Sequence, residues 1–200
     1  MIPAIVLAAG KSSRMGRAKA MLPVADGETF IGRIVRTFRE AGIEDVVVVL
    51  GHDADAIGDG MERNGIRARR VVNAGYEQGQ FSSFLTGLRA VDRPDTEALL
   101  LTLVDVPLVS PSTVMAVVAR YREIGAPIVR PVRGALHGHP VLVARQLFEV
   151  LKSADPAHGA KPIVRAFASA AGDVMIDDEG AFRDVDTPDD YERLVRRFPS

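Results

Sequence analysis

Seven short runs rich in Val, Leu and Ile recur along the chain with hardly any alternation of polarity: residues 5–8, 46–50, 70–72, 99–104, 128–132, 141–143 and 174–176. A strand with one wet face alternates apolar and polar residues, whereas a strand covered on both faces does not. Helical patterns lie between the early runs. Phe30, Ile31, Ile34, Val35, Phe38 and Ala41 fall at helical spacing, and Gly42 supplies a stop. Ser110-Pro111 sets an N-cap before a proline at the first helical position, which predicts a helix to about Ile124. Thr187-Pro188 repeats the device, with Asp190 placed for a capping box and the helix running through Leu194 and Val195. This order predicts an α/β fold with a mostly parallel central sheet and right-handed crossovers, in one domain over residues 1–200. Residues 133–140 and 153–161 are the segments expected to be mobile loops.

Composition narrows the function. Apolar residues make up 47% of the 200, enough for a substantial core, and no run approaches the roughly 20 residues that span a bilayer. No basic segment precedes the apolar start, so no signal peptide is expected. The chain has no cysteine, which excludes disulfides, thiolate catalysis and cysteine zinc sites and fits a reducing cytoplasm. With 25 basic and 26 acidic residues the net charge is −1, so neither a nucleic-acid nor a membrane partner is expected, and any anion site must come from local placement of charge.

Such a placement follows the first run. Ala9-Gly10-Lys11-Ser12-Ser13-Arg14-Met15-Gly16-Arg17-Ala18-Lys19 carries two glycines, two serine hydroxyls and four cations. Glycines let a backbone approach an anion closely, and successive N–H groups with Arg and Lys supply the counter-charge. The Walker and G-x-G-x-x-G patterns are both absent. Arg14 and Lys19 are the candidates for stabilising charge on a transferring phosphoryl group. Gly10, Gly51-His52, Asn73 and Asp105 each follow one of the first four strand runs, and in an open parallel sheet such positions share the ligand-binding edge.

Asp105 ends an apolar run just before Pro107, suited to hold Mg²⁺ against phosphate oxygens. Asp184 and Asp186 alternate along an extended segment, so one of them, Asp186 beside the helix cap, is the expected second metal ligand. Asn73, Gly79, Ser82 and Ser83 make a donor-rich surface for a base or ribose; helix capping is the competing role of the serines. His139, in His137-Gly138-His139-Pro140, is read as a turn residue that contacts a second substrate, since no third soft ligand accompanies a histidine pair.

As a pattern, Leu7-Ala8-Ala9-Gly10-x-Ser12-x-Arg14-Met15-Gly16-x-x-Lys19 resembles the signature of the MobA-like NTP transferase family, which includes the molybdenum cofactor cytidylyl- and guanylyltransferases. The resemblance continues through Gly51-His52, residues 73–83, Asp105 with Pro107, Gly138-His139-Pro140, Gly159-Ala160 and Asp186-Thr187-Pro188. It implies a three-layer Rossmann-like nucleotidyltransferase fold. Leu7, Ala8, Ala9, Gly10, Ser12, Arg14 and Lys19 would hold the nucleotide, and Asp105 and Asp186 would hold Mg²⁺. Ala8-Ala9-Gly10 is similar to the cytidylyl branch, where the guanylyl branch carries Ala-Gly-Gly. Two departures stand out: no Pro or Asn precedes Lys19, and Val104-Asp105-Val106-Pro107 replaces Gly-Asp-Met-Pro. The implied reaction joins CTP to a phosphorylated pterin-type acceptor, with a molybdoenzyme as a further partner. Use of GTP or a sugar-phosphate acceptor, and a non-catalytic nucleotide-binding accessory role, are the alternatives.

Overall fold

Every residue of β1 (Ala4–Ala8) and β2 (Val46–Leu50) is buried, which is why these strands lack polar alternation. A computed structural model describes residues 1–12, 15, 18–24, 27–156 and 159–197 of the chain. Six further strands follow: β3 (Arg69–Val72), β4 (Ala98–Leu103), β5 (Ile128–Arg133), β6 (Leu136–His137), β7 (Val141–Ala144) and β8 (Asp173–Met175). The helices are α1 (Phe30–Glu40), α2 (Ala54–Arg63), α3 (Gln80–Val91), α4 (Pro111–Ile124), α5 (Phe148–Lys152), α6 (Lys161–Phe167) and α7 (Pro188–Arg197). None of them is long and apolar enough to cross a membrane.

The sheet runs β3-β2-β1-β4-β7-β5-β6, with β8 paired to β5. The first four are parallel; β7 lies antiparallel between β4 and β5. Successive side chains of a strand point to opposite faces. Val6 and Val48 therefore join Ile31, Ile34 and Val35 of α1 on one side, while Ile5, Leu7 and Val49 join Phe81, Phe84 and Leu88 of α3 on the other. These are the three layers of a Rossmann-like α/β fold. From β1 the chain steps outward to β2 and β3, then returns past β1 to β4. The strand order thus reverses at the β1–β4 border, and their carboxyl ends open a crevice there.

The helix ends follow the sequence signals. Ser110 Oγ accepts a bond from Thr113 N–H, α4 ends at Gly125 with φ +62°, and Gly42 has φ +81° after α1. Asp190 Oδ2 accepts from Thr187 N–H at 3.0 Å, and Thr187 Oγ1 accepts from Asp190 N–H at 3.2 Å, closing the capping box. Residues 133–140 differ from expectation. They form a hairpin in which β6 pairs with β5, Gly138 N–H bonds Pro131 O, and His139 N–H bonds Ala181 O. The segment 153–161 includes Ala157 and His158, which lie outside the described residues.

Candidate active site

Lys19 stands at the centre of the crevice. Ser12, at φ +48°, accepts a hydrogen bond from Lys19 N–H on its Oγ, folding the loop after β1 back onto the short 3-10 turn Lys19–Met21. Lys19 is only 8% exposed. A buried ammonium requires anionic partners, and it has two: Nζ lies 2.5 Å from Asp186 Oδ1 and 3.7 Å from Asp105 Oδ2. Sequence reading put both carboxylates on one metal and Lys19 on the phosphates beside it, but did not anticipate that Lys19 pairs with the carboxylates themselves.

Asp105 follows β4 and is tied to the carboxy-terminal segment through its carbonyl, which accepts from Val185 N–H at 2.8 Å. Val185 is buried beneath, Asp184 is exposed, and Asp186 turns toward Lys19. Burial raises the Asp105 carboxyl above the ordinary carboxylate range; Lys19 opposes this, and the charges of Asp184 and Asp186 add to it. Its Oδ1 is buried with no hydrogen-bond partner among the described residues.

The three segments that carry Asp105, His139 and Asp186 interlock. A Cβ at Gly180 would lie 2.0 Å from Leu108 O, and one at Gly138 would lie 2.5 Å from Ala181 O. Asp178 Oδ2 accepts from Ser110 N–H and from Thr113 Oγ1, fastening the same turn to the start of α4. The carboxylates therefore sit on a frame held by backbone contacts.

The opposite wall comes from the segment after β3. Asn73 Nδ2 donates to Ser82 Oγ at 2.8 Å and Ser83 Oγ at 3.0 Å, and its Oδ1 accepts from Gly75 N–H. Ser82 Oγ in turn donates to Gly75 O and Gly79 O. Neither serine is the cap of α3, which is Gly79. Asn73 and Ser82 thus brace the turn, and the wall itself is lined by Tyr76, Gly79, Gln80 and Ser83. Gly51 allows Ala9 and Tyr76 to close over it, since a Cβ there would lie 2.8 Å from Ala9 Cβ and 2.7 Å from Tyr76 Cβ. Lys11 and Glu77 pair at 2.7 Å across the exposed rim.

Together these walls enclose a cleft of about 360 Å³. Of the residues singled out from sequence, Leu7, Ala9, Gly10, Ser12, Lys19, Gly79, Ser83, Asp105 and Asp186 line it. Ala8 does not: its side chain packs in the core on the α1 side, because alternation along β1 turns it away from Leu7 and Ala9. Arg14 lies outside the described residues. Tyr76, Gln80, Leu103 and Val104 are lining residues that sequence reading missed; the aromatic ring inside a glycine-rich turn was the available signal for Tyr76.

His139 is partly buried behind this cleft, with Nδ1 3.3 Å from Leu101 O. A carbonyl only accepts, so Nδ1 carries the proton and Nε2 presents a lone pair. Burial holds the imidazole below its ordinary value of 6.5, against the raising effects of that carbonyl and Asp184. A folded-state pKa below the unfolded one gives stability that is present above the ordinary value and is lost as pH falls through the folded value. His139→Gln should therefore flatten the decline in melting temperature between pH 7 and pH 5. Parallel declines in the two proteins would show that His139 takes no part in acid unfolding.

A crevice at a topological switch point, lined by Gly10, Ser12 and Lys19 on one side, by Tyr76, Gly79, Gln80 and Ser83 on the other and by Asp105 and Asp186 at its floor, is where an open α/β sheet binds a ligand. The sequence comparisons place the protein more closely: residues 4–172 match the MobA-like NTP transferase domain, and the chain belongs to that family. It is 30% identical to the nicotine blue oxidoreductase of Paenarthrobacter nicotinovorans, with 97% of this chain and 96% of that protein covered. It is 26% identical to the molybdenum cofactor cytidylyltransferase of Escherichia coli strain K12, covering 98% and 97%. Among solved structures, Rv0371c from Mycobacterium tuberculosis H37Rv superposes with a TM-score of 0.79 at 29% identity, covering 98% and 97%; a second structure of that protein is a complex with manganese.

Proposed function

We propose that the protein is a Mg²⁺-dependent nucleotidyltransferase that transfers CMP from CTP to a phosphorylated acceptor of the molybdopterin type. The observation that carries the reading is the trio of Lys19, Asp105 and Asp186 at the floor of the cleft, with one buried Asp105 oxygen unsatisfied. That oxygen suits a cation. Among the described residues no group of three or more His, Cys, Asp or Glu is arranged to hold a metal. Two carboxylates completed by substrate phosphates are a normal Mg²⁺ arrangement. When bound, Mg²⁺ supplies charge neutralisation on the phosphates.

In the transfer, an acceptor phosphate oxygen bonds to the α-phosphorus of CTP and the bond from that phosphorus to the β-phosphate bridging oxygen breaks, releasing pyrophosphate. The acceptor phosphate is already ionised near neutral pH, so no general base is required. Lys19 offsets charge that develops on the triphosphate, the loop backbone around Gly10 and Ser12 receives the phosphates, and Arg14 is assigned the same task from sequence. The aromatic and amide side chains of Tyr76 and Gln80 form the wall against which base or ribose rests. Likeness to the E. coli cytidylyltransferase supports CTP and a pterin-type acceptor, and the manganese complex of Rv0371c supports a divalent ion.

Two outcomes are expected. Lys19→Ala and Arg14→Ala should each lower kcat/KM about a hundredfold or more, from a loss of about 2.7–4 kcal/mol of transition-state stabilisation. Losses below about fivefold at both positions would separate the loop from the phosphates. CTP should also be preferred over GTP. Ala9 lines the cleft beside Gly51, so its methyl narrows the space that a purine needs. Ala9→Gly should reduce the preference, with about 1–3 kcal/mol, or roughly 10–200-fold, available from one methyl. The comparison is kcat/KM for both nucleotides with one acceptor, and a wild-type preference for GTP would overturn the cytidylyl assignment.

A further inference from the structure

We propose that Lys19 is the resident counter-ion of the carboxylate pair: its ammonium holds the place between Asp105 and Asp186 that a divalent cation would take, and releases it when a triphosphate arrives. The proposal rests on the metal reading above and adds to it a fixed coupling between metal and nucleotide binding.

Three observations carry it. The Lys19 ammonium contacts both carboxylates, at 2.5 Å and 3.7 Å. Its backbone is fixed by Ser12 Oγ and by the Lys19–Met21 turn, and its neighbour Ala20 is buried, so the ammonium can change partners only through rotation of its side-chain stem. The ammonium approaches Asp105 on Oδ2, while Oδ1 remains buried without a hydrogen-bond partner among the described residues.

A divalent ion that arrives alone must displace a paired ammonium and leave it beside a doubly charged neighbour in a partly buried setting, where like charges repel more strongly than in water. A triphosphate relieves this, because it gives the ammonium a new anionic partner within reach of the same stem. Metal then binds nucleotide-free protein weakly and nucleotide-loaded protein tightly, and by linkage metal tightens nucleotide by the same factor.

The test is a Mn²⁺ titration of nucleotide-free protein, followed by the electron paramagnetic resonance signal of free Mn²⁺. Wild type, Lys19→Met, Lys19→Arg and the double variant Lys19→Met/Asp105→Asn are compared at one pH. Methionine keeps the apolar stem and removes the charge; if its melt is not cooperative, Lys19→Gln takes its place. The expected result is that Lys19→Met binds Mn²⁺ about tenfold or more tighter than wild type, within the usual range of coupling between sites. Lys19→Arg should behave as wild type, the double variant should lose the gain, and Mn²⁺ should raise the melting temperature of Lys19→Met more than that of wild type. Equal or weaker Mn²⁺ binding by Lys19→Met overturns the proposal, as does a gain that survives Asp105→Asn. A parallel titration with CTP present separates the two levels. If wild type with CTP takes up Mn²⁺ beyond what CTP alone binds, and Lys19→Met shows no gain without CTP, the counter-ion role falls and the metal site stands. If wild type with CTP takes up no additional Mn²⁺, the metal reading falls and the counter-ion role with it.

Discussion

Asp105→Asn should cut turnover by roughly 10²–10³-fold or more while the fold stands, by analogy with the loss of one preorganised electrostatic contact. The substituted group faces the cleft and makes no side-chain hydrogen bond that holds the frame; its frame contact is the backbone carbonyl bonded to Val185, which asparagine retains. Stability should hold or rise. The Asp105 carboxyl is raised in the folded protein, chiefly by burial, so its stabilising contribution is present below the unfolded pKa and lost as pH rises through the folded one. Above the folded pKa the ionised carboxylate is therefore a cost to folding that asparagine removes. Lys19 keeps Asp186 as its partner, so no buried cation is orphaned. The measurements are Mg²⁺-dependent pyrophosphate release and a thermal melt at pH 7.5. Near-normal release by the variant would make Asp105 a turn residue and dissolve the metal site.

Gly180→Ala should damage the same site from a distance, through the frame. Its Cβ would sit 2.0 Å from Leu108 O and 2.5 Å from Leu108 C, and both are backbone atoms that no rotamer change can move. The turn Glu179–Phe182 must withdraw from the segment after Asp105. Overpacking of this kind typically costs 1–3 kcal/mol, and a backbone obstacle favours the upper end, about 3 kcal/mol. For a chain of this length that is a fall of roughly 6–12 °C in melting temperature. Asp186 lies six residues beyond Gly180 on the same segment, so kcat should fall as well. Gly10→Ala is the contrast: a Cβ there meets nothing within 4 Å, so stability should hold while nucleotide affinity drops. If Gly180→Ala melts with wild type, the interlock is looser than these distances require.

The contrast between those two glycines marks what the sequence could reveal. Strands β1, β2 and β4 are largely buried on both faces and leave uninterrupted apolar runs, so they were legible. Strand β3 was also located, by its paired valines, but it is an exposed edge strand and not covered on both faces as its sequence suggested. The serine, threonine and glycine signals located the ends of α1, α4 and α7. Strand β6 was not legible, because Leu136 and His137 are exposed and carry no periodic signal. The loop after β1 and the carboxylate at 105 stood out because polar groups follow apolar runs at one sheet edge, and Asp186 because it stands beside the Thr187-Pro188 helix cap. Their convergence on Lys19 was hidden, since Lys19 and Asp186 are 167 positions apart. Asn73 illustrates the opposite problem. A polar residue at a strand end invites a ligand role, and only the contacts with Ser82, Ser83 and Gly75 reveal that it braces the turn. Close approaches at Gly51, Gly138 and Gly180 are tertiary facts that no local pattern encodes.

The most direct test of the proposed activity is pyrophosphate release from each of the four nucleoside triphosphates, with a molybdopterin-type phosphate acceptor and Mg²⁺. The expected result is acceptor-dependent release that is fastest with CTP, disappears with a chelator, and is lost in Asp105→Asn. Tight binding of CTP with no release under any combination of nucleotide, acceptor and metal would contradict it and leave a nucleotide-binding protein that does not turn over.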